Sequence, residues 1–412
     1  MSTLRYITAG ESHGKALTGI LEGIPSGLKI SSDDIDGDLK RRQGGYGRGG
    51  RMKIESDRAA ILSGVRWGKT IGSPVALMIE NKDYKNWHEG MSPLAEAEGS
   101  IPAVTRPRPG HADLAGAMKY DQQDIRNILE RSSARETAMR VALGAVTKRF
   151  LSEFGISVGS FVIRIGNQKT AVKIHDMNEK ELLKTFAKAE KSVVRCPDEA
   201  VSKKMARLIA RAMKEGNSLG GTFEVFVTGV PAGLGSHIQW DRRLDGKITQ
   251  AVMSIQAMKG VEIGLGFEMG RKLGSEVMDE ILYTPLNPPL AKGGRRGGKV
   301  SGDVGTCFSR KTNFAGGIEG GITNGMPIIV RAVMKPIPTQ RKPLRSVDII
   351  TKKSIEAAYE RSDICAVPAA GVIGEAMVAL TIAEAFLEKF GGDSMGETRR
   401  NYDSYMEYVR KF

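Results

Sequence analysis

A long run of apolar positions at helical spacing starts in the stretch Arg131-Ser132-Ser133-Ala134-Arg135-Glu136-Thr137-Ala138-Met139-Arg140. Ala138, Val141, Ala142, Ala145 and Val146 fall on one face and predict a core helix. Ser133 and Glu136 have Ser-x-x-Glu spacing, which places Ser133 at the N-cap with a reciprocal capping box. Unpaired amides at such a helix start attract anions, and arginines beside them strengthen the attraction. Short apolar or alternating runs predict strands at Leu4 to Ala9, Gly159 to Ile165, Gly221 to Thr228 and Pro327 to Met334. Two more lie between Ala60 and Glu80, around the turn Gly72-Ser73-Pro74. Ser31 or Ser32 caps an acidic-start helix, a charged helical region fills Asn178 to Lys214, and Asp241 to Lys259 predicts another helix. The most apolar region, Ile364 to Phe386, contains Pro368, Glu375 and Glu384. Those residues argue against a membrane span and for a buried loop followed by a core helix from near Ile373.

Two segments break the pattern. Residues 285–304 are rich in Pro, Gly and Arg with little to bury, and read as a mobile surface insertion. Residues 393–412 read as a polar appended tail. No boundary or repeat signal divides the remainder, so residues 1–392 read as one mixed α and β domain.

Composition narrows the function classes. The chain has 412 residues, 50 of them glycine, and a formal charge of +14, which favours anionic partners. Aromatic residues make up 6%, too few for regular base-stacking platforms. Cys196, Cys307 and Cys365 lie far apart without metal-ligand spacing and read as reduced thiols of a cytoplasmic protein. The N-terminus lacks the apolar core of a signal peptide.

Four loops carry candidate chemistry. Gly10-Glu11-Ser12-His13-Gly14 presents a Ser-His pair between flexible glycines. Lys40 to Arg51 interleaves five glycines with four arginines, as an ordered lid over a phosphate or carboxylate would, and it does not match a P-loop. Arg106-Pro107-Arg108-Pro109-Gly110-His111-Ala112-Asp113 aims an imidazole and two guanidinium groups from a rigid backbone. The fourth is the helix entrance at Arg131. An enzyme for a small, multiply anionic substrate, a nucleic-acid binder and a structural subunit all compete. The second predicts aromatics among the basic loops, where only Tyr46 occurs, and the third leaves His13 and His111 without a purpose. The first is favoured.

These loops, in this order, resemble the chorismate synthase family. The likeness continues through Lys259-Gly260-Val261-Glu262-Ile263-Gly264, Ala315 to Gly321, Lys335-Pro336 and Arg361-Ser362-Asp363-Ile364-Cys365-Ala366-Val367-Pro368, and it spans roughly Leu4 to Lys389. The insertion and the tail depart from the family pattern without touching a motif.

The resemblance implies an α+β fold, a β-α-β sandwich with central helices between antiparallel sheets, assembled as a homotetramer. It implies a lyase that converts 5-enolpyruvylshikimate 3-phosphate to chorismate, the last step of the shikimate pathway, by anti 1,4-elimination of phosphate. Reduced FMN is the implied cofactor, with NADPH as a candidate reductant, and no metal, nucleic acid or membrane is expected. Carried over by position, His13 is the general acid at the leaving phosphate, and His111 stabilises the reduced flavin ring near N1 and the C2 carbonyl. Asp363 is the proton relay near N5, supported by Ser12 and Ser133. Flavin contacts are implied for Arg131, Ser132, Ser133, Gln256, Ala257, Gly320, Lys335, Pro336, Ile337, Pro338, Thr339 and Arg361. Arg108 and Arg135 are implied substrate clamps, and Arg42 and Arg48 hold NADP or a substrate anion.

Overall fold

Alternation of inward and outward residues builds two antiparallel sheets in the computed structural model, which describes residues 4–49, 56–283, 307–342, 344–358 and 363–412. The first sheet contains β1 (Arg5–Ala9), β2 (Ala16–Glu22), β3 (Ala60–Ser63) and β4 (Val75–Glu80), in the order β1-β2-β4-β3. Leu17 and Leu21 pair with Ile79 and Val75, and all four point to one buried face. The second sheet contains β5 (Ser157–Ile165), β6 (Gln168–Lys169), β7 (Gly221–Thr228), β8 (Met258–Ile263) and β9 (Ile328–Met334), in the order β8-β9-β7-β5-β6.

Nine α-helices surround these sheets among the described residues, the central two filling the space between them. In chain order they are α1 (Ser32–Gln43), α2 (Asp113–Tyr120), α3 (Arg126–Ser132), α4 (Thr137–Ser152), α5 (Glu179–Glu190), α6 (Glu199–Lys214), α7 (Leu244–Met253), α8 (Val367–Phe390) and α9 (Met395–Lys411). α4 packs on β2 and β4, α8 packs on β5 and β7, and the two helices cross each other at the centre. The crossing is close because Gly144 faces Ala376: a Cβ on Gly144 would lie 2.4 Å from the Ala376 Cβ. α5 covers the outer face of the second sheet, where Leu182 and Ala189 meet Phe161 and Phe226. α8 is long and apolar enough to cross a membrane, but 94% of its apolar window is buried inside the protein. It is a core helix.

One carboxylate interrupts this core. Glu375 on α8 is fully buried and accepts from Arg41, Lys148, Arg195 and Ser160 at 2.7–3.0 Å. Burial pushes its pKa up, but the Lys148 and Arg41 charges outweigh burial and hold the carboxyl well below its ordinary range.

Several local expectations are corrected. Ser133 does not start the long helix. It ends α3 and caps a single 3-10 turn, Ala134–Glu136, accepting from the Arg135 N–H at 3.3 Å. The expected capping box is not formed, because Glu136 is taken by Thr8 at 2.8 Å and by Arg140 at 2.9 Å. The helix expected over 241–259 is shorter: Ala257 adopts a left-handed φ of 66° and turns the chain into β8. α8 begins at Val367, six residues before Ile373, since Pro368 is tolerated in a first turn where no N–H is needed. The polar segment after residue 392 is a helix, α9, whose Thr398 and Met406 are buried. By contrast, Ser31 forms a full capping box with Asp34. The insertion at 285–304 lies outside the described residues; Ile281–Tyr283 before it pairs with Phe308–Arg310 after it.

Candidate active site

The N-terminal ends of α4 and α8 open toward one cavity of about 1000 Å³, closed on other sides by the loops after β1, before α2 and after β9. Among the predicted site residues, Ser12, His13, Arg42, Arg48, Arg108, His111, Ser132, Ser133, Arg135, Gln256, Ala257, Lys335, Ile337, Pro338, Thr339 and Asp363 all line it. Residues as far apart in the chain as Ser12 and Asp363 therefore meet in one place. Arg131 does not line it: its guanidinium turns back to the carbonyls of Thr8 and Gly10 at 2.8 and 3.0 Å. Gly320 sits in a separate hairpin turn near His237, and Pro336 is in the lining strip without facing the cavity. Arg361 lies outside the described residues.

Each of the two histidines that line the cavity, His13 and His111, is gripped by a buried carboxylate. His13 leaves β1 through Gly10, whose φ of 101° and close approach to the Ala16 carbonyl admit no side chain. Its Nδ1 lies 2.8 Å from Glu130 Oε1, and its backbone N–H donates to Glu130 Oε2 at 2.7 Å. Glu130 is buried, which pushes its pKa up, yet the His13 contacts bring it below the usual carboxylate range. Trp87 packs on the His13 ring at 4.4 Å, and Arg126 lies over Trp87 at 4.7 Å. Across the cavity, His111 Nδ1 lies 2.5 Å from Asp113 Oδ1. Arg108 holds the same carboxylate at 2.8 and 3.0 Å. Burial pushes Asp113 up, but these partners overcome it and leave Asp113 firmly ionised.

The arginines divide by depth. Arg135 Nη1 donates to both oxygens of Asp57 at 2.6 and 2.7 Å, and its Nε donates to Asn81 at 2.8 Å. Arg42 donates to Thr137 and the Ala134 carbonyl, with Asp57 at 3.7 Å. Burial, with the charges of Arg48 and Arg135, lowers the Arg42 pKa to about 9 against the pull of Asp57. Arg108, Arg135 and Arg42 are therefore buried, already partnered cations that charge the cavity wall. Arg48 pairs with Asp363 at 3.3 Å, and the Gly49 N–H also donates to Asp363, at 2.6 Å. Ser12 donates to Ser133 at 3.1 Å, so both hydroxyls sit side by side. Lys259 and Lys335 complete six cationic side chains in the lining, against Asp83 and Asp363. Burial, then the Lys259 charge, lowers the Lys335 pKa.

Asp57, Asn81, Trp87, Arg126 and Glu130 escaped the sequence reading. Glu130 adjoins a motif and could have been weighed as the partner of His13. Asp57 and Asn81 stand in unremarkable polar surroundings, and only the folded chain brings them under Arg135.

Fold and cavity together define an α+β enzyme with a strongly cationic site for a small molecule. The family profile described as Chorismate synthase matches residues 4–387. A chorismate synthase of Aquifex aeolicus (strain VF5) is 56% identical over 413 residues, covering 99% of both chains. One of Geobacter metallireducens (strain ATCC 53774 / DSM 7210 / GS-15) is 56% identical over 409 residues, covering 99% of this chain and all of the relative. A solved structure titled "Crystal Structure of Chorismate Synthase" superposes with a TM-score of 0.78 at 47% identity and 99% coverage of both chains. The chain belongs to the chorismate synthase family, enzymes of the shikimate pathway and carbon–oxygen lyases acting on phosphates.

Proposed function

We propose that the enzyme eliminates phosphate from 5-enolpyruvylshikimate 3-phosphate to form chorismate, with reduced FMN as cofactor. The observation that carries this reading is the convergence of two carboxylate-held histidines, Asp363 and six cationic side chains on one cavity. The substrate bears a phosphate and two carboxylates, which suits that charge. A typical pocket for one small ligand is roughly 300–1,000 Å³, so a volume at the top of that range favours two molecules held together.

The residues present fit a flavin. Gln256 lines the cavity, and its buried Oε1 has no hydrogen-bond partner among the described residues, an acceptor suited to a ring N–H. Gln256, Ala257, His111 and the strip Lys335 to Thr339 would hold it. When bound, the reduced ring supplies electron density beside a developing cation and a basic nitrogen for the departing ring proton. The chain's own groups do the rest. His13 donates a proton to the oxygen of the leaving phosphate as the C–O bond breaks. Asp363, fixed by the Gly49 N–H and Arg48, holds and passes on the proton lost from the substrate ring. Arg42, Arg48, Arg108 and Arg135 keep the wall positive, and Ser12 with Ser133 orients bound oxygens.

Homotetrameric assembly is supported by the outward face of the first sheet, where Ile7, Ile20 and Leu62 are exposed. The free thiols of Cys196, Cys307 and Cys365 support a cytoplasmic location. The test is an anaerobic assay of phosphate and chorismate with chemically reduced FMN, where equimolar release is expected and none would refute the reading. A second arm with only FMN and NADPH decides whether the protein reduces its own flavin; Arg42 and Arg48 line this same cavity, so a dinucleotide reaching them would enter it.

A further inference from the structure

The cluster behind His13 has no role in the chemistry so far. Its geometry is specific. Glu130 sits on α3, nearly fully buried, and meets His13 twice: Oε2 takes the backbone N–H at 2.7 Å and Oε1 faces Nδ1 at 2.8 Å. The two contacts fix both the loop and the ring that the loop carries. Trp87 packs against the ring with centroids 4.4 Å apart, a third contact that favours this ring orientation. Arg126, one turn before Glu130, lies 3.7 Å from the same Oε1 and 4.7 Å from the centre of the Trp87 ring.

We infer that Glu130 is the positioning residue for proton donation: it holds His13 by the backbone nitrogen and Nδ1 and so turns the opposite ring nitrogen, Nε2, toward the leaving phosphate. This rests on His13 being the proton donor proposed above. A carboxylate on Nδ1 fixes the tautomer and stabilises the imidazolium, the form that a general acid needs before it gives up its proton. The charged groups set around His13 are Glu130 and Arg126 on α3 and Asp83, in the same turn as Trp87, on the cavity wall. The contrast with His111 is informative. Asp113 is shared with a bidentate Arg108, which offsets its charge, whereas Arg126 reaches Glu130 only at 3.7 Å. Of the two histidines, His13 therefore has the less compensated carboxylate behind it.

The experiment is a double-mutant cycle of Glu130→Gln and His13→Ala in the full chain, read by anaerobic phosphate release with reduced FMN. Glu130→Gln should lower kcat by about 100-fold, the scale of a small misplacement of a reacting group, with KM changed less than about threefold. In the His13→Ala background the same change should lower kcat by less than about twofold, because a positioning residue acts only through its partner. Glu130→Asp, which keeps the carboxylate, should recover part of the kcat lost in Glu130→Gln, again with KM nearly unchanged. Wild-type kcat in Glu130→Gln, or an equal loss in both backgrounds, overturns the inference while leaving His13 as donor. Wild-type kcat in His13→Ala overturns the donor role itself.

Discussion

Replacing Asp57 by Asn removes one negative charge from beneath two guanidinium groups and leaves the shape of the side chain almost unchanged. Asp57 is fully buried, takes Arg135 Nη1 at 2.6 and 2.7 Å, and stands 3.7 Å from Arg42 Nη1. Both arginines are themselves buried, so neither charge can turn to solvent when its partner is lost. Breaking a buried pair from one side is typically worth about 3–5 kcal/mol, because the remaining charge stays desolvated. At about 2.1 cal/mol/K of unfolding entropy per residue, 412 residues give about 0.9 kcal/mol/K, and the melting midpoint should fall by about 3–6 °C. Differential scanning calorimetry in a buffer without multivalent anions measures it directly. Inorganic phosphate should raise the midpoint of Asp57→Asn more than that of the wild type, since a bound anion replaces the missing charge. A midpoint within 1 °C of wild type, with no added response to phosphate, refutes the account of Asp57 as counter-ion to the cavity wall.

Other consequences follow from the same geometry. The Glu375 carboxyl titrates below its ordinary value of 4.5, so its stabilisation is complete above about pH 4.5 and is lost as pH falls through the folded value. Stability measured from pH 6 downward should decline in the wild type below that point, and a decline of equal slope in Glu375→Gln would contradict this. Gly144→Ala should destabilise by about 1–2 kcal/mol, with overpacking against the Ala376 backbone exceeding the gain in helix propensity; an unchanged denaturation midpoint would show that α4 and α8 can separate freely. His111→Ala should lower turnover by at least about 100-fold, and near-normal turnover at saturating reduced FMN would remove its role. For Asp363→Asn, chorismate formation at the wild-type rate would dismiss the proton relay.

What the sequence by itself determined is local or motif-borne. Short apolar and alternating runs marked the strands within 159–165, 221–228 and 327–334, and Ser31 or Ser32 marked the start of an acidic-start helix, which Ser31 caps. The glycine-flanked and proline-braced loops singled out His13 and His111, and the ordered motifs carried the family and its α+β sandwich. Local signals misled where long-range partners compete for the same atoms. Glu136 was free in the sequence to cap its own helix, but Thr8 from β1 and Arg140 take it in the fold. The segment after residue 392 looked polar and unattached, yet Thr398 and Met406 find a buried surface that only the assembled core offers. The site shows the same division. Which side chains are basic or titratable can be read along the chain, but whether an arginine is a free clamp or a buried cation depends on what folds beneath it. Asp57 under Arg135, Glu130 behind His13 and Asp113 between His111 and Arg108 set charge, tautomer and aim through contacts of less than 3 Å. Only the Asp113 contacts are local in sequence; the Asp57 and Glu130 contacts join residues too far apart for any local pattern to encode them, and tertiary structure alone decided them.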